Sequence, residues 1–180
     1  MKKIFLSLTA TVSVLFVVFL FLTLTTKNSA CFTLAITFGT MCYHFIMRLT
    51  VGKFTPHHFK YKRPWFCEKS FEKPLYKALK VKKWKDKMPS YNPSSYMTRD
   101  NDFKNIVNTM CRNEVIHEVN ALLSFIPILF SFAFGATAVF VITSIIACCL
   151  DLIFVVMQRY NRPRLVRLIK RTNKRNSLSS

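Results

Sequence analysis

Glu114 and His117 stand three apart in Cys111-Arg112-Asn113-Glu114-Val115-Ile116-His117, a spacing that makes them neighbours on a helix. They also continue an apolar stripe, because Phe103, Val107, Met110, Glu114, His117 and Ala121 fall within roughly 80° at 100° per residue. A carboxylate and an imidazole on an apolar face are costly unless they are paired or used. Together they suit general-base chemistry, with Glu114 orienting the ring while the other ring nitrogen takes a proton from a hydroxyl. A helix-end pair bonded to nearby backbone is the structural alternative. A Glu-x-x-His metal pair is a third, but its further ligands would have to come from His44, His57, His58 or Asp151, and none has diagnostic spacing. No metal is expected.

A second constellation is Gln158-Arg159-Tyr160-Asn161-Arg162-Pro163-Arg164-Leu165, where an apolar run turns within one residue into an arginine cluster. Arg159, Arg162 and Arg164 suit bidentate contact with phosphate or carboxylate, and Gln158, Tyr160 and Asn161 are candidate supporting groups. Lys83, Trp84 and Lys85 form a third cluster that suits a phosphorylated carrier, a nucleotide or lipid headgroups. Asp151 is the charged residue inside an apolar segment, seven residues before Gln158, and either marks function or pairs with an arginine such as Arg112 or Arg159. There is no Gly-x-Ser-x-Gly, no His-x4-Asp box and no glycine-rich phosphate loop. With three glycines, Rossmann and P-loop folds are excluded.

The elements that must position these groups are membrane helices. The 180-residue chain carries a net charge of +19 yet is 51% hydrophobic. Sixteen of its 27 basic residues lie between Arg48 and Arg112 and eight between Arg159 and Arg175, with uncharged blocks elsewhere. Nucleic-acid binding would account for the basicity but not for the blocks. An all-α integral membrane protein accounts for both: four hydrophobic segments in two hairpins, with amphipathic basic cytoplasmic helices. The expected spans within one membrane domain are 4–26, 30–47, a short 120–134 that either crosses or is re-entrant, and 136–157. A basic region over 48–118 and a basic tail over 158–180 complete it. The first span, preceded by Lys2 and Lys3, is too long for a secretory signal and reads as an uncleaved anchor. This arrangement puts both termini and 26 of the 27 positive charges on one side, the cytoplasmic one by the positive-inside bias. From Pro74, Leu75, Tyr76, Leu79 and Trp84 alternate with lysines, as in a helix lying on anionic lipid. The residues from Met88 to Ser95 read as a turn-rich linker, and those from Pro163 as a second interfacial helix.

The order Lys83-Trp84-Lys85-Asp86-Lys87 with Pro89, then Arg112-Asn113-Glu114-Val115-Ile116-His117, then Gln158 to Leu165 resembles the glycosyl-4,4′-diaponeurosporenoate acyltransferase family. These are small bacterial membrane proteins whose named member esterifies a glucosylated carotenoid on the way to staphyloxanthin. The resemblance covers roughly Lys80 to Lys174. Asn113, Glu118 and Asp151 depart from the family, which tends to a small residue, an aromatic and an asparagine there. The resemblance implies an inner-membrane enzyme that moves a fatty acyl group from acyl-CoA or acyl carrier protein to a hydroxyl of a glycosylated membrane lipid, without a further cofactor. His117 would be the base and Glu114 its orienting group. Arg159, Arg162 and Arg164, with Lys83, Trp84 and Lys85, would hold the donor's phosphates. A non-enzymatic adaptor that docks anionic lipid and a small lipid methyltransferase are the alternatives.

Overall fold

A computed structural model describes residues 2–87 and 103–176, and among them only helices and turns are present. The helices are α1 (Lys2–Thr26), α2 (Ser29–Phe54), α3 (Glu72–Ala78), α4 (Val81–Trp84), α5 (Phe103–Leu123), α6 (Ile126–Leu129), α7 (Ser131–Phe134) and α8 (Thr137–Asn176). Four stretches are long and apolar enough to cross a membrane: Lys3–Thr26, Ser29–Phe54, Phe103–Phe134 and Thr137–Thr172. The all-helical class with four such segments is therefore as expected. The segment from Met88 to Ser95 lies outside the described residues. The chain divides into two compact units, Met1–Phe54 with Glu118–Leu152, and Thr55–His117 with Ile153–Ser180.

In the first unit, α1 and α2 pack side by side. Phe19 stacks on Phe38 with centroids 5.4 Å apart, and Phe5 meets Phe45 edge-on at 5.3 Å. Ascending positions of α1 meet descending positions of α2, so the two run antiparallel. Gly39 makes the approach possible, because a Cβ there would come within 2.9 Å of the Phe16 ring. The connection is two residues long, one shorter than expected. Lys27 takes the left-handed conformation that ends α1, and the Asn28 side chain accepts from Ala30 N–H at the start of α2. The hydroxyls of Thr9, Thr11, Ser13, Thr23 and Thr26 donate to carbonyls four residues back. Their polar atoms are thereby satisfied within the helix, and Ile4, Val14, Val17, Phe21 and Leu24 stay exposed on an apolar surface suited to lipid.

The third apolar segment is not one helix. Pro127 has no N–H, and its ring would strike the carbonyl four residues earlier, that of Leu123, which is where α5 stops. Two single-turn helices follow, and Gly135 and Ala136, both at positive φ, separate them from α8. By contrast, α8 runs unbroken through Pro163, so the tail is no separate helix but the continuation of the fourth apolar segment.

The polar interior of this unit includes an ion pair. Asp151, 1% exposed, accepts from Arg48 Nη2 at 2.5 Å, while Arg48 also donates to the carbonyls of His44 (2.9 Å) and Ala147 (3.1 Å). Within this unit the arginine paired with Asp151 is Arg48. Removing one member of such a pair leaves a buried charge, which costs about 3–5 kcal/mol, whereas replacing both by apolar residues is near neutral. Asp151→Ala should therefore lower thermal stability in detergent strongly, and Arg48→Met with Asp151→Leu should recover most of the loss. Equal melting temperatures for wild type and Asp151→Ala would refute this role.

Candidate functional site

The second unit is built around α5 and the later half of α8. Phe66, Val107, Cys111 and Ile169 form its buried core, with Phe59, Tyr61, Phe103, Val115, Leu165 and Val166 packed against them. Burying such side chains contributes about 1.5–3 kcal/mol each. Along α5, Cys111, Glu114 and His117 meet α8 at Arg162, then Arg159 and Arg162, then Phe154, so the two helices run antiparallel here.

Glu114 is completely buried, and each of its oxygens receives an arginine. Oε1 accepts from Arg159 Nη1 at 2.5 Å and Oε2 from Arg162 Nη1. Arg162, 2% exposed, also donates from Nε to Phe66 O at 3.0 Å and lies over the Phe66 ring, 5.2 Å from its centroid. Arg159 reaches a second carboxylate. Its Nε and Nη2 both donate to Glu72 Oε1, at 2.9 and 2.6 Å, and its remaining hydrogens go to Trp65 O and Cys67 O. All five guanidinium N–H groups thus have protein acceptors. Tyr76 donates to the other Glu72 oxygen at 2.7 Å. Two guanidiniums balance two carboxylates, which is how such charge is tolerated in a buried place. A carboxylate already shared by two cations is a poor ligand for a metal ion.

The other sequence candidates lie around this network. His117, one turn along α5 from Glu114, is half-buried and stacks on Phe154 with centroids 4.7 Å apart and planes 15° apart. Gln158 is buried and Asn161 half-buried. Arg112 donates to Thr55 O from Nε and Nη2, at 3.4 and 3.3 Å. Arg164 turns the other way, onto the Tyr160 ring at 4.4 Å, and it lines a separate cavity with Lys83. Trp84 donates to Leu79 O, and Lys85 beside it is half-buried. Arg159, Arg162 and Glu114 therefore meet, whereas Arg164 and Lys83 belong to another surface and Asp151 to the first unit.

Glu72, Phe66 and Tyr76 were not candidates. Glu72 lies just before the stretch from Pro74 that reads as a membrane-surface helix. That stretch is instead two short helices, α3 and α4, parted at Lys80, whose φ is +49°. On α3 the buried residues are Glu72 and Tyr76, four apart, while Leu75 and Leu79 are exposed. The available signal was scarcity: Glu72 is one of only eight acidic residues set against 27 basic ones.

A family model described as glycosyl-4,4′-diaponeurosporenoate acyltransferase matches residues 62–171, more than half of the chain. The chain belongs to this family. Membership makes it an acyltransferase. The match begins well before Lys80 and so takes in Trp65, Phe66, Cys67, Glu72 and Tyr76, the partners of Arg159 and Arg162. No curated protein and no solved structure matches the chain.

Burial alone would raise the Glu72 carboxyl, but the hydrogen bonds from Tyr76 and Arg159 and the Arg159 charge outweigh it and hold the carboxyl below its ordinary 4.5. Burial and the bond to Glu72 push the Tyr76 phenol upward. A carboxyl depressed on folding stabilises the protein above its unfolded value and loses that contribution as pH falls through the lower folded one. The unfolding midpoint should therefore drop once pH falls below about 4.5. Glu72→Gln should start lower at neutral pH and show a shallower acid decline. Parallel pH profiles for the two proteins would contradict the assignment.

Proposed function

We propose that the protein transfers a fatty acyl group from a thioester donor to a hydroxyl of a glycosylated membrane lipid, a glycosylated carotenoid being the acceptor that the family's description suggests. The observation that carries this reading is the family match over 62–171, which spans Glu72, Glu114, His117, Arg159 and Arg162 together. His117 takes the hydroxyl proton, the oxygen attacks the thioester carbonyl, the C–S bond breaks, and the proton passes to the departing thiolate. Stacking on Phe154 fixes the plane of the His117 ring. Glu114, tied to Arg159 and Arg162, fixes α5 against α8 and so positions His117 without orienting it directly. The arginines of that network are positioning residues, and donor binding falls to basic side chains elsewhere.

The protein is read as a multi-pass protein of a bacterial inner membrane, its four apolar segments forming two hairpins with both termini cytoplasmic. The basic residues from Arg48 to Arg112 and from Arg159 onward favour that side. Phe71, Leu75 and Leu79, exposed beside many lysines, suit contact with an anionic membrane surface. Cys67 is exposed and native to this region, so it can report the topology. A membrane-impermeant thiol reagent should label Cys67 in opened vesicles and spare it in intact cells. Labelling in intact cells would overturn the orientation.

A general base contributes roughly 10²–10⁴-fold. His117→Ala should lower kcat by that order in an assay with a long-chain acyl thioester and a glycolipid acceptor, at unchanged melting temperature. Near-normal turnover would remove His117 from the reaction.

A further inference from the structure

The second unit holds a cavity of about 440 Å³ that the buried network does not use. Its wall carries seven basic side chains, including Lys73, Lys77, Lys83, Arg164 and Arg167, against Glu68 as its acidic one. The contrast with the network behind it is one of charge balance. There, two guanidiniums meet two carboxylates. Here, none of the seven cations makes an ion pair among the described residues. Like charges gathered around one concavity repel one another, and a bound polyanion removes that cost. We propose that this groove binds the phosphates of the acyl donor, and that the donor's carrier is a nucleotide of the coenzyme A type. This rests on the acyl-transfer reading above and names the carrier that reading leaves open.

Three features favour a nucleotide over a lipid headgroup, which offers the same phosphate chemistry. The volume falls within the roughly 300–1,000 Å³ of small-molecule sites. The charge excess suits a ligand with several phosphates better than a monoanionic phosphodiester. Tyr76 and Tyr160 form an aromatic part of the wall, edge to face at 5.3 Å, with Arg164 lying over the Tyr160 ring. That wall holds a guanidinium donor for phosphate on an aromatic ring, an arrangement whose outer face suits stacking by a purine. The groove also shares a helix with the proposed reaction centre. Tyr160, Arg164 and Arg167 follow Arg159 on α8, and Tyr76 touches both the groove and Glu72. A carrier held here by its nucleotide keeps its flexible arm tethered to the unit that carries His117.

The test uses the full-length protein in nanodiscs of zwitterionic lipid, with coenzyme A titrated by calorimetry. Wild type should bind it, 3′-dephospho-coenzyme A should bind more weakly, and Arg164→Ala with Arg167→Ala, or Lys73→Ala with Lys77→Ala, should weaken binding at least about tenfold. These side chains serve the groove and not the folded core, so melting temperatures should be unchanged. An acyl-pantetheine thioester, which lacks the nucleotide, should be used equally by wild type and variants. Unchanged affinity for coenzyme A in both double variants would overturn the proposal. So would an absence of coenzyme A binding, whether or not vesicles containing phosphatidylglycerol or an acidic acyl carrier protein bind instead. If coenzyme A binds but no donor supports transfer, the acyl-transfer reading fails and the groove stands. If acyl-pantetheine turns over while coenzyme A does not bind, the groove fails and the reading stands.

Discussion

Everything in the second unit turns on one buried carboxylate. Glu114 has no exposed surface, and its two oxygens are shared between Arg159 and Arg162. Arg159 carries the connection on to Glu72, and through Glu72 to Tyr76. The same two arginines bind the carbonyls of Trp65, Phe66 and Cys67. One charge network thus fixes α3, the turn around Phe66, α5 and α8 against one another. Removing one partner of such a buried set typically costs about 3–5 kcal/mol, because the rest is left uncompensated. His117, one turn from Glu114, inherits its position from that arrangement.

The basic residues consequently divide into two populations with different surroundings. Arg159 and Arg162 are neutralised in place by Glu72 and Glu114. Arg164, Arg167 and the lysines of α3 and α4 face a cavity with little acidic compensation. Sequence alone merges them, since Arg159, Arg162 and Arg164 fall within six residues. Helical direction separates them. Arg162 points to the Phe66 side of α8, and Arg164 to the Tyr160 side.

The helical class and the four apolar segments were legible because uncharged blocks of membrane length need no partner to be recognised. Glu114 was legible too, as a carboxylate on an apolar stripe. Its partners were not. Helical spacing offered His117 three residues away, while the arginines that hold it are 45 and 48 residues on. Arg48 and Asp151, 103 residues apart, were hidden for the same reason. Proline cut both ways. Pro127 ends α5 where the rule about its ring predicts, whereas α8 passes through Pro163. There, Arg159 and Arg162 on one side and Leu165, Val166 and Ile169 on the other hold the helix in place. Those contacts outweigh the roughly 3 kcal/mol that an internal proline costs.

The most direct test of acyl transfer is lipid mass spectrometry of cells with and without this protein, fed an isotopically labelled fatty acid and supplied with a glycosylated carotenoid. The account predicts a glycolipid that gains one labelled acyl chain only when the protein is present. Identical lipid profiles in the two cultures, with the protein confirmed in the membrane fraction, would contradict it.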